Sequence, residues 1–206
     1  MTGSPARLAG AAIALLIVAA VIWQAGLLGA KNDATNPNLD LADADTGIET
    51  PPVDGFDVGL RPGDIAPDFE FSSFEGERLR LSDFRGRPVM INFWATWCQP
   101  CRQEMPAIDE AMRRFSADDV AVLAINRGER FSSANEWANE LGVQFTAFGY
   151  DPDAAIFKQY RGTGMPTSYF IDARGVVTEI IAGPLRDTDL DFALQNAIDG
   201  FKAPIN

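Results

Sequence analysis

The run "PVMINFWATWCQPC", residues 88–101, constrains this chain more than any other stretch. Residues 88–94 are apolar apart from Asn92, the pattern of a strand buried on both faces of a sheet. Cys98 follows at once and opens a predicted helix over 100–115, with Met105, Ile108, Met112 and Phe115 on one face. At a helix start, unpaired backbone N–H groups and the positive end of the macrodipole stabilise a thiolate, so Cys98 is expected to be acidic and nucleophilic. Pro100 suits the first turn, where its missing N–H has no helical partner to lose. Cys101 lies one turn further along the same face, within reach of Cys98 for a disulfide that opens and closes without refolding the chain.

These are the only two cysteines, and the chain has no histidine. A stapling disulfide gains from closing a long loop, and a bridge across two residues constrains almost nothing. Zinc needs four ligands, more than this pair can offer. A two-thiolate Cu(I) site stays open as an alternative. A peroxidatic cysteine needs a threonine further upstream than Thr96. The missing histidine also removes Ser-His and Cys-His nucleophile pairs and imidazole acid-base chemistry. With no basic block anywhere, nucleic acid is not an expected partner.

The segment 61–206 alternates strand and helix signals. Strands are predicted at 69–71 and 79–81 around a turn at Glu75-Gly76, then at 88–94, 120–125 and 144–148. Helices are predicted at 100–115, 132–141 and 154–160. "TSYFID" and "VVTEII" flank Ala173-Arg174-Gly175 as a hairpin. Over 187–201, Leu190, Ala193, Leu194, Ala197, Ile198 and Phe201 form one apolar face. The order implies an α/β fold with a mixed central sheet flanked by helices.

Ahead of this domain, residues 8–30 carry no charge, and as a helix they would extend about 34 Å, enough for a hydrocarbon core of about 30 Å. The expectation for 1–30 is a short cytoplasmic N-terminus and a single-pass transmembrane anchor, with Arg7 inside and the rest of the chain outside the cell membrane. A cleaved signal peptide is the rival reading, since Leu28-Gly29-Ala30 loosely resembles a cleavage site. Residues 31–60 hold seven Asp/Glu against one Lys, part of a formal charge of -12, and read as an acidic, disordered tether.

"GRPVMINFWATWCQPCRQEMP", 86–106, resembles the thioredoxin superfamily, and within it the membrane-anchored TlpA/ResA-like thiol-disulfide oxidoreductases. "GDIAPDFEFSSFEGERLRLSDFRGR", 63–87, resembles the N-terminal extension that this branch shares with the peroxiredoxins of the AhpC/TSA type. "GTGMPTSYFID", 162–172, is similar to the superfamily's cis-proline segment, which implies a cis bond before Pro166 and backbone groups of Met165 free to pair with a substrate peptide. Where thioredoxin carries a buried aspartate this chain has Asn92. Glu104 matches the acidic residue that tunes the two thiols in the ResA-like pattern; the alternative is a carboxylate complementing the helix dipole. Pro106 matches a helix-kinking proline. Trp97, Gln99 and Pro100 are expected at the substrate face, with Trp97 shielding the disulfide.

The resemblance implies dithiol exchange without a cofactor or metal: Cys98 attacks a substrate disulfide and Cys101 resolves the mixed disulfide. It implies an extracytoplasmic protein-disulfide reductase, re-reduced by a membrane thiol donor, whose substrate is apocytochrome c in cytochrome c biogenesis or a copper-site protein. A Cu(I)-binding module using the same thiols is the alternative. Oxidants such as DsbA place Pro-His between the cysteines, and the uncharged Gln99-Pro100 favours a reductant.

Overall fold

The computed structural model describes residues 56–115 and 119–201. The predicted span 8–30 and the tether up to residue 55 lie outside the described residues. Residues 56–60, assigned by composition to the tether, take part in the folded unit: Val58 bridges to Ile65, and the Gly59 N–H donates to the Ile65 carbonyl at 2.9 Å. Among the described residues no helix is long and apolar enough to cross a membrane.

Seven strands, β1 (Glu70–Ser73), β2 (Arg78–Arg80), β3 (Val89–Trp94), β4 (Ala121–Arg127), β5 (Ala147–Asp151), β6 (Thr167–Ile171) and β7 (Val177–Ala182), form one sheet in the order β2-β1-β5-β4-β3-β6-β7. β3, β4 and β5 run parallel, and the remaining pairings are antiparallel. Among the described residues the α-helices are α1 (Gln99–Arg114), α2 (Phe131–Leu141), α3 (Ala155–Gln159) and α4 (Asp187–Asp199).

All six residues of β3 are buried, as a central strand covered on both faces requires. Val89, Ile91 and Phe93 enter one core layer with Phe157, Tyr160 and Tyr169; Met90 meets the apolar faces of α1 and α4 on the other side. Trp94, also on that side, packs in a third cluster with Met105, Ala134 and both cysteines.

β5 begins at Ala147, three residues later than the local signal suggests. The residues before it are spent on tertiary bonds: Gln144 N–H donates to Asp109 Oδ1 at 3.0 Å and Thr146 Oγ1 accepts from Val122 N–H at 3.0 Å. The ladder to β4 then sets the register, Leu123 facing Ala147 and Arg127 facing Asp151. On α4, Leu190, Ala193, Leu194 and Ala197 are buried as the periodicity predicts, whereas Ile198 is exposed. Eight residues beyond Leu190 it has rotated about 80° off the stripe, which carries it to the rim. Gly142 ends α2 in the left-handed conformation, φ 68°, the terminus that favours glycine.

Candidate active site around the disulfide

The C-terminal end of β3 delivers the chain to a turn in which the Cys98 N–H donates to the Ala95 carbonyl at 3.1 Å. Cys98 is the N-cap of α1, with extended backbone, and its Sγ accepts from the Cys101 N–H at 3.3 Å. The helix therefore begins with a sulfur where a serine or aspartate oxygen would ordinarily sit, and one orphan N–H is aimed at it. Cys98 and Cys101 are joined by a disulfide. Cys98 is 4% exposed and Cys101 is fully buried, so an incoming molecule meets Cys98 first.

The Met165–Pro166 bond is cis. Register places it just past the end of β3, because Thr167 pairs with Phe93. Half-buried Met165 packs against the cluster that contains both cysteines. Its loop is closed by Thr167 Oγ1 donating to the Gly164 carbonyl at 2.8 Å. A Cβ on Gly162 would stand 2.2 Å from the Phe157 ring, so only glycine lets the loop pass there. Two tyrosines anchor its other end: Tyr169 Oη donates to the Tyr160 carbonyl at 2.5 Å, and Tyr160 Oη to the Pro67 carbonyl at 2.6 Å.

Trp97 is 65% exposed. It stands in solvent, and the tryptophans of the disulfide's cluster are Trp94, fully buried, and Trp137, packed against it, roles that sequence reasoning missed. Together with Gln99, Arg102 and Trp137, Trp97 lines an open groove of about 640 Å³ beside the disulfide. The Arg102 guanidinium lies over the Trp137 ring at 5.6 Å.

Glu104 is 4% exposed and faces inward. Its Oε1 accepts from Asn92 Nδ2 at 2.8 Å and its Oε2 from the Leu185 N–H at 2.9 Å. Burial outweighs these two hydrogen bonds and pushes its carboxyl up to about 7. Glu104 is the sixth residue of α1, beyond its first turn, and both of its oxygens are bonded inside the protein. Ser168 Oγ accepts a second bond from Asn92 Nδ2 at 3.0 Å.

Sequence reasoning also passed over Glu129. Half-buried at the end of the β4–α2 connection, it accepts from the Thr96 N–H at 2.6 Å, from Thr96 Oγ1 at 2.5 Å and from Asn126 Nδ2 at 2.7 Å. No local signal marks it, because its partner Thr96 lies 33 residues away. Among the described residues no group of three or more His, Cys, Asp or Glu is arranged to hold a metal ion.

Residues 62–180 match the model of the AhpC/TSA family. The chain is 36% identical over 134 residues to the thiol-disulfide oxidoreductase ResA of Geobacillus kaustophilus, covering 65% of this chain and 76% of the relative. It is 37% identical over 142 residues to the thioredoxin-like protein YneN of Bacillus subtilis, covering 66% and 79%. Among solved structures, a Chlorobium tepidum protein described as a thiol:disulfide interchange protein DsbE superposes with a TM-score of 0.63 at 31% identity, over 68% of this chain and 99% of that one. A redox pair capping a helix, on a fold shared with such enzymes, leaves one assignment: the chain belongs to the AhpC/TSA family of thioredoxin-like proteins and is a thiol-disulfide oxidoreductase.

Proposed function

We propose that this enzyme is a reductase of protein disulfides on the outer side of a cell membrane, held there by residues 8–30, and that it serves cytochrome c maturation. The Cys98 thiolate attacks one sulfur of the substrate disulfide and expels the other as a thiolate, giving a mixed disulfide. Cys101, on losing its proton, attacks Cys98 Sγ and releases the second substrate thiolate. The substrate gains two electrons and the enzyme is left with the Cys98–Cys101 disulfide. A membrane thiol donor then returns it to the dithiol. Trp97, Gln99, Pro100, Met165 and Pro166 form the face met by the substrate, and Glu104 tunes the thiols.

The observation that carries the direction is the support available to a Cys98 thiolate. It has a helix N-terminus and the Cys101 N–H, and Gln99-Pro100 adds no positive charge. Helix-terminus support is typically about 0.3–1 kcal/mol and at most about 2. The potentials of thioredoxin, about -270 mV, and DsbA, about -120 mV, differ by roughly 7 kcal/mol of dithiol stabilisation. The weak support favours a potential nearer that of thioredoxin. The likeness to ResA supports apocytochrome c as substrate, with a copper-site protein as the alternative.

The test is the reduction potential of the full chain in detergent, equilibrated against glutathione and dithiothreitol buffers. A value near the thioredoxin end is expected, and one above about -150 mV would overturn the reductase reading. Stoichiometric Cu(I) retention without disulfide turnover would instead establish the metal-binding alternative.

A further inference from the structure

We infer that Glu129 is a positioning residue for the attacking thiol, acting through Thr96 to hold the loop that presents Cys98. The inference rests on Cys98 being the nucleophile and does not depend on the direction of electron flow.

The turn between β3 and α1 contains Ala95, Thr96 and Trp97, and its own closing bond is Cys98 N–H to the Ala95 carbonyl, 3.1 Å. That bond alone fixes neither the plane of the Thr96 peptide nor the angle at which the chain enters the helix. Glu129 supplies the missing restraint. One carboxylate oxygen takes the Thr96 N–H at 2.6 Å and the other takes Thr96 Oγ1 at 2.5 Å, a two-point grip on a single residue. Asn126, fully buried on β4, orients the carboxylate with its Nδ2 at 2.7 Å. The connection carrying Glu129 is tied to β5 in turn, since the Gly128 N–H donates to the Asp151 carbonyl at 2.8 Å. Cys98 is thus referenced to the rigid centre of the sheet through Thr96, Glu129 and Asn126.

The chemistry of the donors selects a carboxylate. All three groups facing Glu129 donate, and both oxygens of the side chain accept. Glutamine can keep its oxygen toward the Thr96 N–H and Asn126 Nδ2 only by turning its NH2 to Thr96 Oγ1, which must then accept, so the charge-assisted bonds that grip Thr96 are lost. The thiolate depends on this placement: its support from the Cys101 N–H, at 3.3 Å, requires Cys98 to hold its N-cap conformation. Displacement of a reacting group by about 1 Å can cost about a hundredfold in rate.

Three variants of the full chain, Glu129→Gln, Thr96→Val and the double substitution, test this with Cys98→Ser as the control. Two quantities are read: the second-order rate constant of the reduced protein with 5,5′-dithiobis(2-nitrobenzoate), and the pH at half-maximal alkylation of Cys98 by iodoacetamide. Each single variant is expected to slow exchange about tenfold or more, and Thr96→Val, which removes no charge, to move the alkylation midpoint to higher pH. The double variant should be no slower than the slower single one, because both break one grip. Wild-type rates and midpoints in the folded variants would overturn the inference, as would additive losses. A midpoint moved to lower pH in Thr96→Val would overturn it too, since that substitution changes no charge. Should Glu129→Gln fail to fold, Thr96→Val carries the same test alone. An active Cys98→Ser protein would show instead that the nucleophile is misassigned, an outcome separate from the others.

Discussion

Asn92 donates its side-chain amide to Glu104 at 2.8 Å across the interior, from the central strand to the second turn of the helix that carries the cysteines. The pairing answers a question posed by the sequence, where the chain departs from thioredoxin's buried aspartate. An amide at position 92 is neutral, so the ionisable member of this buried pair is Glu104. The same amide that donates to a carboxylate can, turned over, accept from the protonated acid. Asn92 therefore suits a partner whose carboxyl titrates near 7.

That titration links stability to pH. Glu104 keeps its proton in the folded protein up to about 7, against 4.5 for an unperturbed side chain, so the folded state binds more protons between these values. The stabilisation is fully present below about pH 4.5 and is lost as pH rises through 7, by on the order of 3 kcal/mol. Asp68 works at lower pH: burial raises its carboxyl, but hydrogen bonds from Ser82 and Arg80 prevail and hold it below its ordinary value. Urea unfolding of the oxidised protein from pH 5 to 8 should show the decline, and Glu104→Gln should flatten it. An unchanged slope in that variant would assign the effect elsewhere.

Redox tuning by Glu104 has its own signature. Above pH 7 its carboxylate opposes a thiolate nearby and holds a thiol pKa up. Glu104→Gln is expected to lower a thiol pKa and make the reduction potential less negative, read by the same glutathione equilibration. A variant with altered stability but wild-type potential would limit Glu104 to a structural role.

The two thiols should separate in function. Cys98, the more accessible of the two, is expected to be indispensable, and Cys98→Ser should abolish insulin-disulfide reduction. Cys101 is buried beneath it. Cys101→Ser should accumulate mixed disulfides with substrates, visible as dithiothreitol-sensitive adducts on non-reducing gels.

Phe93 ties the catalytic strand to the layer beneath the cis-proline loop, with ring centroids 5.4 Å from Phe157, 5.7 Å from Tyr160 and 6.3 Å from Tyr169. It is fully buried. Phe93→Ala should cost about 3–5 kcal/mol in chemical denaturation. Losing less than about 1 kcal/mol would mean that the surrounding rings collapse into the space.

The anchor is testable in cells. Alkaline carbonate extraction should leave the full chain in the membrane pellet, with its C-terminal domain open to external protease. A soluble product beginning near residue 31 would establish signal cleavage.

Much of this was legible along the chain because the forces concerned are local. The apolar run of β3, Cys98 opening a helix with Pro100 in its first turn, and the hairpin around Arg174 depend on periodicity and capping within a few residues, and each stands where the sequence places it. Local signals failed where a partner is distant. The start of β5 follows its ladder to β4, and 56–60 belong to the fold because Ile65 offers them a bridge. The site divides in the same way. CxxC and the proline of the 162–172 segment are sequence patterns, but Glu104 shows only as an acid near a helix start until Asn92, 12 residues back, and Leu185, 81 residues on, enclose it. Glu129 meets Thr96 across 33 residues, and nothing near it in sequence hints at the contact. Backbone conformation and amphipathic faces are decided over one or two turns; what a buried carboxylate bonds to is decided only when the sheet brings distant segments together.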